Sequence, residues 1–170
     1  MPSAATQALN AELSVRLVDY GYVPDAQALV TLLDGYAHDP MGGGKGLDPQ
    51  VVDRLVPALN AFPGAFSLMA FADGRPVGLA NCFTGFSTFA ARPLVNIHDL
   101  VVDKGHRGKG IGRALMQAVE AEAAQRGALK VTLEVLSGNE RAKALYSALG
   151  YESYALDPEK GTAQFWEKTL

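Results

Sequence analysis

The sequence of 170 residues contains one cysteine, Cys82. No internal disulfide can form, and a single thiol does not supply the ligand set of a structural zinc site. That cysteine usage fits a reducing cytoplasm. An excess of one charge is also missing: 15 basic side chains stand against 18 acidic ones, net -3, with an isoelectric point near 5.6. Bulk electrostatic attraction to nucleic acid or to an anionic membrane is therefore not on offer, and an anionic ligand must be held by local geometry. No apolar run approaches the ~20 residues that span a bilayer. Met1 to Asn10 carries neither the basic segment nor the apolar run of a secretory signal. A soluble cytoplasmic protein without nucleic-acid or membrane partners is expected.

Apolar residues, in contrast, make up 48% of the chain, enough to bury a core without staples and too many for a fibrous or natively disordered protein. Repeats and low-complexity tracts are missing. Residues 1–13 read as a polar leader, poorly ordered, and 14–170 as one domain.

Hydrophobic periodicity orders the chain. Ser14 to Val18 reads as a strand, Asp25 to Tyr36 and Pro49 to Asn60 as amphipathic helices, and Phe66 to Ala72 with Val77 to Phe86 as a hairpin about Asp73-Gly74. Val95 to Val102 is a further strand after an irregular connection. Ile111 to about Gly127 is a helix with Leu115, Ala118 and Val119 on one stripe. Val131 to Val135 alternates as a strand, Asn139 caps a helix that Gly150 ends, and two last strands are expected around Tyr151 to Ala155 and Ala163 to Lys168. The Gly-rich segment Met41 to Gly46 is expected to be a mobile loop shaping specificity. The order implies an α/β (α+β) fold with a mixed sheet carrying helices, not a strictly alternating doubly wound one.

The exit from the Val95–Val102 strand carries the most information. Asp103-Lys104-Gly105-His106-Arg107-Gly108-Lys109-Gly110-Ile111-Gly112-Arg113 places four glycines and several cations where a strand becomes a helix. Glycines let backbone amides approach a ligand, and a helix N-terminus attracts an anion. A Rossmann fingerprint does not fit the glycine spacing, and Met41 to Gly46 is no P-loop, because Gly46 follows Lys45 where Ser or Thr is needed.

Val131 to Gly150 supplies a second motif: Glu134 on a strand, Asn139 at a helix cap, Tyr146 seven residues on. With both motifs in place, the sequence resembles the GCN5-related N-acetyltransferases. Arg107 to Gly112 matches that family's Arg/Gln-x-x-Gly-x-Gly/Ala loop, and Asn139 to Ala142, Leu145-Tyr146 and Leu149-Gly150-Tyr151 match its later motif.

The resemblance implies a mostly antiparallel sheet of six to seven strands flanked by about four helices, with one parallel pair splayed apart. It implies acetyl-CoA as cosubstrate and no metal. Its pyrophosphate would lie on Arg107, Gly108, Lys109, Gly110, Ile111, Gly112 and Arg113, and its pantetheine arm along Leu100, Val101 and Val102 and near Asn139. Asn139 reads equally as a plain helix cap. Tyr146 falls at the family's general-acid position, although by periodicity alone it reads as a core residue beside Ala142 and Leu149.

Glu134, His98 and Asp99 compete for the role of base. His98 and Asp99 should point to opposite faces of their strand unless a bulge intervenes. Phe86-Ser87-Thr88-Phe89 and Ile97-His98-Asp99-Leu100 are similar to a stretch of the diamine and polyamine acetyltransferases, departing at His98 where those carry Glu. The implied activity is acetyl transfer to a primary amine, most simply a small cationic molecule, by direct attack in a ternary complex. Acetylation of a protein N-terminus or lysine, a non-catalytic acyl-CoA-binding module and an NTP-binding protein are the alternatives. A homodimer is implied by the resemblance alone.

Overall fold

In the computed structural model of the chain, residues 12–154, 157, 159 and 161–170 are described. Five strands, β1 (Leu13–Leu17), β2 (Ala65–Ala72), β3 (Arg75–Ser87), β4 (Arg92–Val102) and β5 (Val131–Leu133), form one sheet in the order β1-β2-β3-β4-β5. The pairs are antiparallel except β4 with β5, which is parallel. Helices α1 (Val23–Ala37) and α2 (Pro49–Ala61) precede β2, α3 (Ile111–Gln125) joins β4 to β5, and α4 (Glu140–Ala148) follows β5.

The sheet separates two cores. On one face Leu68, Ala80, Val95 and Ile97 pack against Leu115, Met116 and Val119 of α3, with Leu145 of α4 and Leu149 just after it at the edge. On the other face Met69, Leu79 and Val101 pack against Leu29 and Leu32 of α1 and Val56 and Leu59 of α2. The predicted helical stripes are thus the buried faces, because an amphipathic helix lowers its free energy by covering a sheet with its apolar side.

Two strand expectations are corrected. Tyr151 to Tyr154 and residues 163–168 form no strand, while Ala155 lies outside the described residues, so the sheet has five strands among the described residues and not six or seven. Alternation of apolar residues makes a strand only where an edge and a face receive it, and Phe165 and Trp166 are instead exposed. The connection read as irregular is a tight turn with Ala91 at φ 49°, and it extends the β3–β4 hairpin at both ends.

The feature that positions the site is how β4 leaves its neighbours. Pairing with β5 stops after Ile97↔Leu133. One residue later the register against β3 slips, Asn81 facing Asp99 while Cys82 faces Ile97, so His98 is a bulge. Beyond it the phase inverts: Val95 and Ile97 face α3, and so do Leu100 and Val102. A bulge twists its strand and breaks the ladder, and here β4 and the chain after Leu133 part.

Candidate active site

A cleft of about 700 Å³ fills the gap. One wall is the end of β4 and the turn into α3. Asp103 starts a 3-10 turn, Lys104–His106, accepting from the Gly105 amide and from His106 Nδ1 at 2.8 Å. The contact with His106 holds the Asp103 carboxyl below its usual range. Gly108 and Gly110 have φ near +80°, which a side chain would strain, and the space where their Cβ atoms would stand is open. Gly110 caps α3, leaving the first-turn amides of Ile111, Gly112 and Arg113 without intrahelical partners. A Cβ on Gly112 would lie 3.1 Å from Leu145 Cδ2, so the glycine sets how closely α3 approaches α4.

Of the residues assigned to the phosphate loop, Arg107, Gly108, Gly110, Ile111, Gly112 and Arg113 line the cleft, as do Leu100 and Val102 on the strand. Two do not. Lys109 is exposed outside the lining, and the Val101 side chain is buried in the α1–α2 core, because the bulge turns it to that face.

The opposite wall is α4 and the segment leading to it. Asn139 lines the cleft and caps α4, its Oδ1 accepting from the Ala142 amide at 3.2 Å, so the structural role read from the sequence is present. Tyr146 lines the cleft, half-buried, with its ring 6.2 Å from that of Tyr151. Burial, with Tyr36 across the cleft adding to it, raises the Tyr146 phenol above its ordinary value. The hydroxyl is protonated throughout the neutral range.

The three carboxylate and imidazole candidates separate. Glu134 stands where β5 ends, within 3.4 Å of the Asn96 amide nitrogen through both oxygens. His98 lines the cleft from the bulge, edge-on to Phe83 at 5.6 Å. Asp99 does not line it: its Oδ2 accepts from Asn81 Nδ2 at 3.0 Å on the α1–α2 face. With the bulge, His98 and Asp99 lie on the same side of β4 instead of opposite sides. The signal was in the sequence, as the apolar spacing changes from two (Val95, Ile97) to three (Ile97, Leu100).

Tyr36 and Asp39 line the cleft without having been singled out in the sequence, and Met41, from the segment expected to shape specificity, lines it beside them. The segment expected to be a mobile loop opens as a 3-10 turn, Pro40–Gly42. Asp39 caps it by accepting from the Met41 amide, and the Met41 carbonyl accepts from the Tyr36 hydroxyl at 3.2 Å. A Cβ at Gly42 would run into the Tyr36 carbonyl, so only glycine lets the turn close. An Asp-Pro pair before a glycine run is a turn signal, but its partners in the cleft are set by distant elements.

Cys82 is buried, and desolvation pushes its thiol up to about 12. It is neutral and inaccessible, unlike a reactive cysteine. Among the described residues, no cluster of three or more His, Cys, Asp or Glu side chains is placed to hold a metal ion, and no helix is long and apolar enough to cross a membrane.

Comparison with known proteins agrees with this geometry. The model of the Acetyltransferase (GNAT) family matches residues 36–151. Streptothricin acetyltransferase of Streptomyces lavendulae is 39% identical over 101 residues, 58% of this chain and 51% of that protein. Thialysine N-epsilon-acetyltransferase of Bos taurus is 35% identical over 84 residues, 46% of this chain and 49% of that one. This chain thus spans about half the length of these two curated relatives. The crystal structure of an aminoglycoside acetyltransferase from an uncultured soil metagenomic sample superposes with a TM-score of 0.70 at 26% identity, covering 86% of this chain and 95% of that one. The splayed parallel pair, the glycine loop before α3 and the tyrosine on α4 are thus features of a chain that belongs to the GNAT acetyltransferase family.

Proposed function

We propose that this protein transfers an acetyl group from acetyl-CoA to a primary amine of a small cationic molecule by direct attack. The observation that carries the reading is that one cleft joins an amide-rich, basic helix start to a tyrosine held protonated by burial. Acetyl-CoA would supply an activated thioester. The residues fit such a group: the amides of Ile111, Gly112 and Arg113 and the cations of Arg107 and Arg113 suit a pyrophosphate, and the open space over Gly108 and Gly110 leaves the backbone accessible.

Tyr146 has a proton to give to a departing thiolate, whose conjugate acid has an ordinary pKa of about 8.5. Glu134, at the parting of the strands, accepts the proton lost by the amine, directly or through water, and the cleft position of His98 makes it the competitor. Cys82, buried and protonated, is no acyl carrier, which favours transfer without an acyl-enzyme. The relatives named for streptothricin, thialysine and aminoglycosides support an amine as acceptor.

The test is thiol release from acetyl-CoA by the purified chain over a panel of polyamines, amino sugars, amino acids and peptides. Release with a small amine is expected. Release with peptides alone would move the assignment to protein acetylation. Stabilisation by acetyl-CoA without release from any acceptor would make the chain a binding module.

A further inference from the structure

On the α1–α2 face of the sheet, the buried polar side chains belong to one row crossing three strands. Ser67 on β2 and Asn81 on β3 are 1% and 2% exposed, stand opposite each other, and Asn81 in turn stands opposite Asp99 on β4. Met69, Leu79 and Val101 belong to the apolar core on this face. A buried amide or hydroxyl is costly unless hydrogen-bonded. Here the row is continuous: Tyr20 Oη to Ser67 Oγ at 2.8 Å, Ser67 Oγ to Asn81 Oδ1 at 2.6 Å, and Asn81 Nδ2 to Asp99 Oδ2 at 3.0 Å.

Chemistry fixes the direction of the row. Ser67 has one proton and gives it to the Asn81 carbonyl, so it accepts from Tyr20; Asn81 then donates to a carboxylate. Every proton points toward Asp99. A side-chain amide does not take up and release protons near neutral pH, so Asn81 interrupts any proton wire. The row orients a carboxylate and relays nothing.

We propose that Tyr20, Ser67 and Asn81 are positioning residues that fix the Asp99 carboxylate just behind the cleft wall, where its charge draws in the ammonium form of the acceptor. This inference rests on the N-acetyltransferase reading above. Asp99 sits between two cleft-lining residues, His98 and Leu100, and Tyr36 of α1, which also lines the cleft, has its phenol raised by burial and then by the Asp99 charge. The Asn81 contact occupies Oδ2, and among the described residues no side-chain hydrogen bond occupies Oδ1. Acting through space across a partly hydrated gap, such a charge affects binding by roughly ten-fold. It leaves the bond-making atoms untouched.

The test uses the full chain with its best amine from the panel. Tyr20→Phe, which keeps the ring and loses only the hydroxyl, and Ser67→Ala are each expected to raise the amine KM about three-fold, with kcat and the acetyl-CoA KM within two-fold of the parent. Asn81→Ala is expected to raise the amine KM about ten-fold. A general packing defect would instead lower kcat and weaken acetyl-CoA together. Unchanged amine KM in Tyr20→Phe and Ser67→Ala overturns the proposal alone. A fall in kcat at constant amine KM makes Asp99 the base and also overturns it. If the parent chain acetylates no amine at all, the functional reading fails first and this inference with it.

Discussion

Arg107 ties the β4–α3 wall of the cleft to the turn after α1 through Asp39, 68 residues away in the chain. Its Nε donates to the Val102 carbonyl at 3.1 Å and a terminal nitrogen donates to Asp39 Oδ2 at 3.0 Å, while Lys104 Nζ lies 3.8 Å from the same oxygen. Asp39 also holds the turn that carries Met41. The basic loop before α3 and the turn after α1 are thus one ionic unit.

Asp39→Asn removes the anion and leaves Arg107 half-buried without its partner. The expected loss is about 2 kcal/mol, or a fall in Tm of about 4–8 °C for a domain of this size, read by thermal denaturation. The Met41 amide, then Arg107, hold the Asp39 carboxyl below its usual range. A depressed carboxylate stabilises above its unfolded value and loses that contribution as pH falls through the folded one. Below about pH 4 the Tm difference between parent and variant should therefore shrink.

Tyr146→Phe tests the general acid. The phenol is raised by burial and by Tyr36, so it remains protonated throughout the neutral range and adds no limb to the rate profile there. Loss of the proton donor should lower kcat by ~10²-fold or more with acetyl-CoA affinity within two-fold. A kcat equal to the parent's rules the role out.

Glu134→Gln and His98→Gln, compared at saturating substrates, separate the two candidates for the base that line the cleft. Glu134→Gln should lower kcat by ~10²-fold and His98→Gln by less than ten-fold. The reverse ranking assigns the base to His98.

Gly110→Ala places a Cβ on a residue at φ 81°, costing about 1–2 kcal/mol, and crowds the amides at the start of α3. The acetyl-CoA KM should rise about ten-fold with kcat little changed. Gly112→Val, pushed against Leu145, should raise it further and lower the Tm, because it wedges α3 from α4.

Asp25 lies 2% exposed at the start of α1 and takes two bonds from Arg16 on β1, at 2.6 and 2.7 Å. Arg16, chiefly, holds its carboxyl below the usual range. Asp25→Asn should cost about 2 kcal/mol, less than a fully buried pair because Arg16 is half-exposed. In the parent this contribution is present at neutral pH and lost as pH falls below about 4. Chemical denaturation at pH 7 and pH 3 checks both signs.

By itself the sequence determined the elements from β1 to α4, the helical stripes that became the core, and the loop from Arg107 to Arg113. These depend on short-range periodicity and on local backbone needs, such as a glycine at φ near +80°, and both are written within a few residues of one another. Tertiary structure decided the rest. The bulge at His98 turned Asp99 toward Asn81 and Val101 into the α1–α2 core, and it depends on register against β3. The Asp39–Arg107 pair and the Tyr20–Ser67–Asn81–Asp99 row join residues from separate elements. The strands expected after Gly150 do not form among the described residues, since alternation shows a capacity for pairing and only a neighbouring edge realises it.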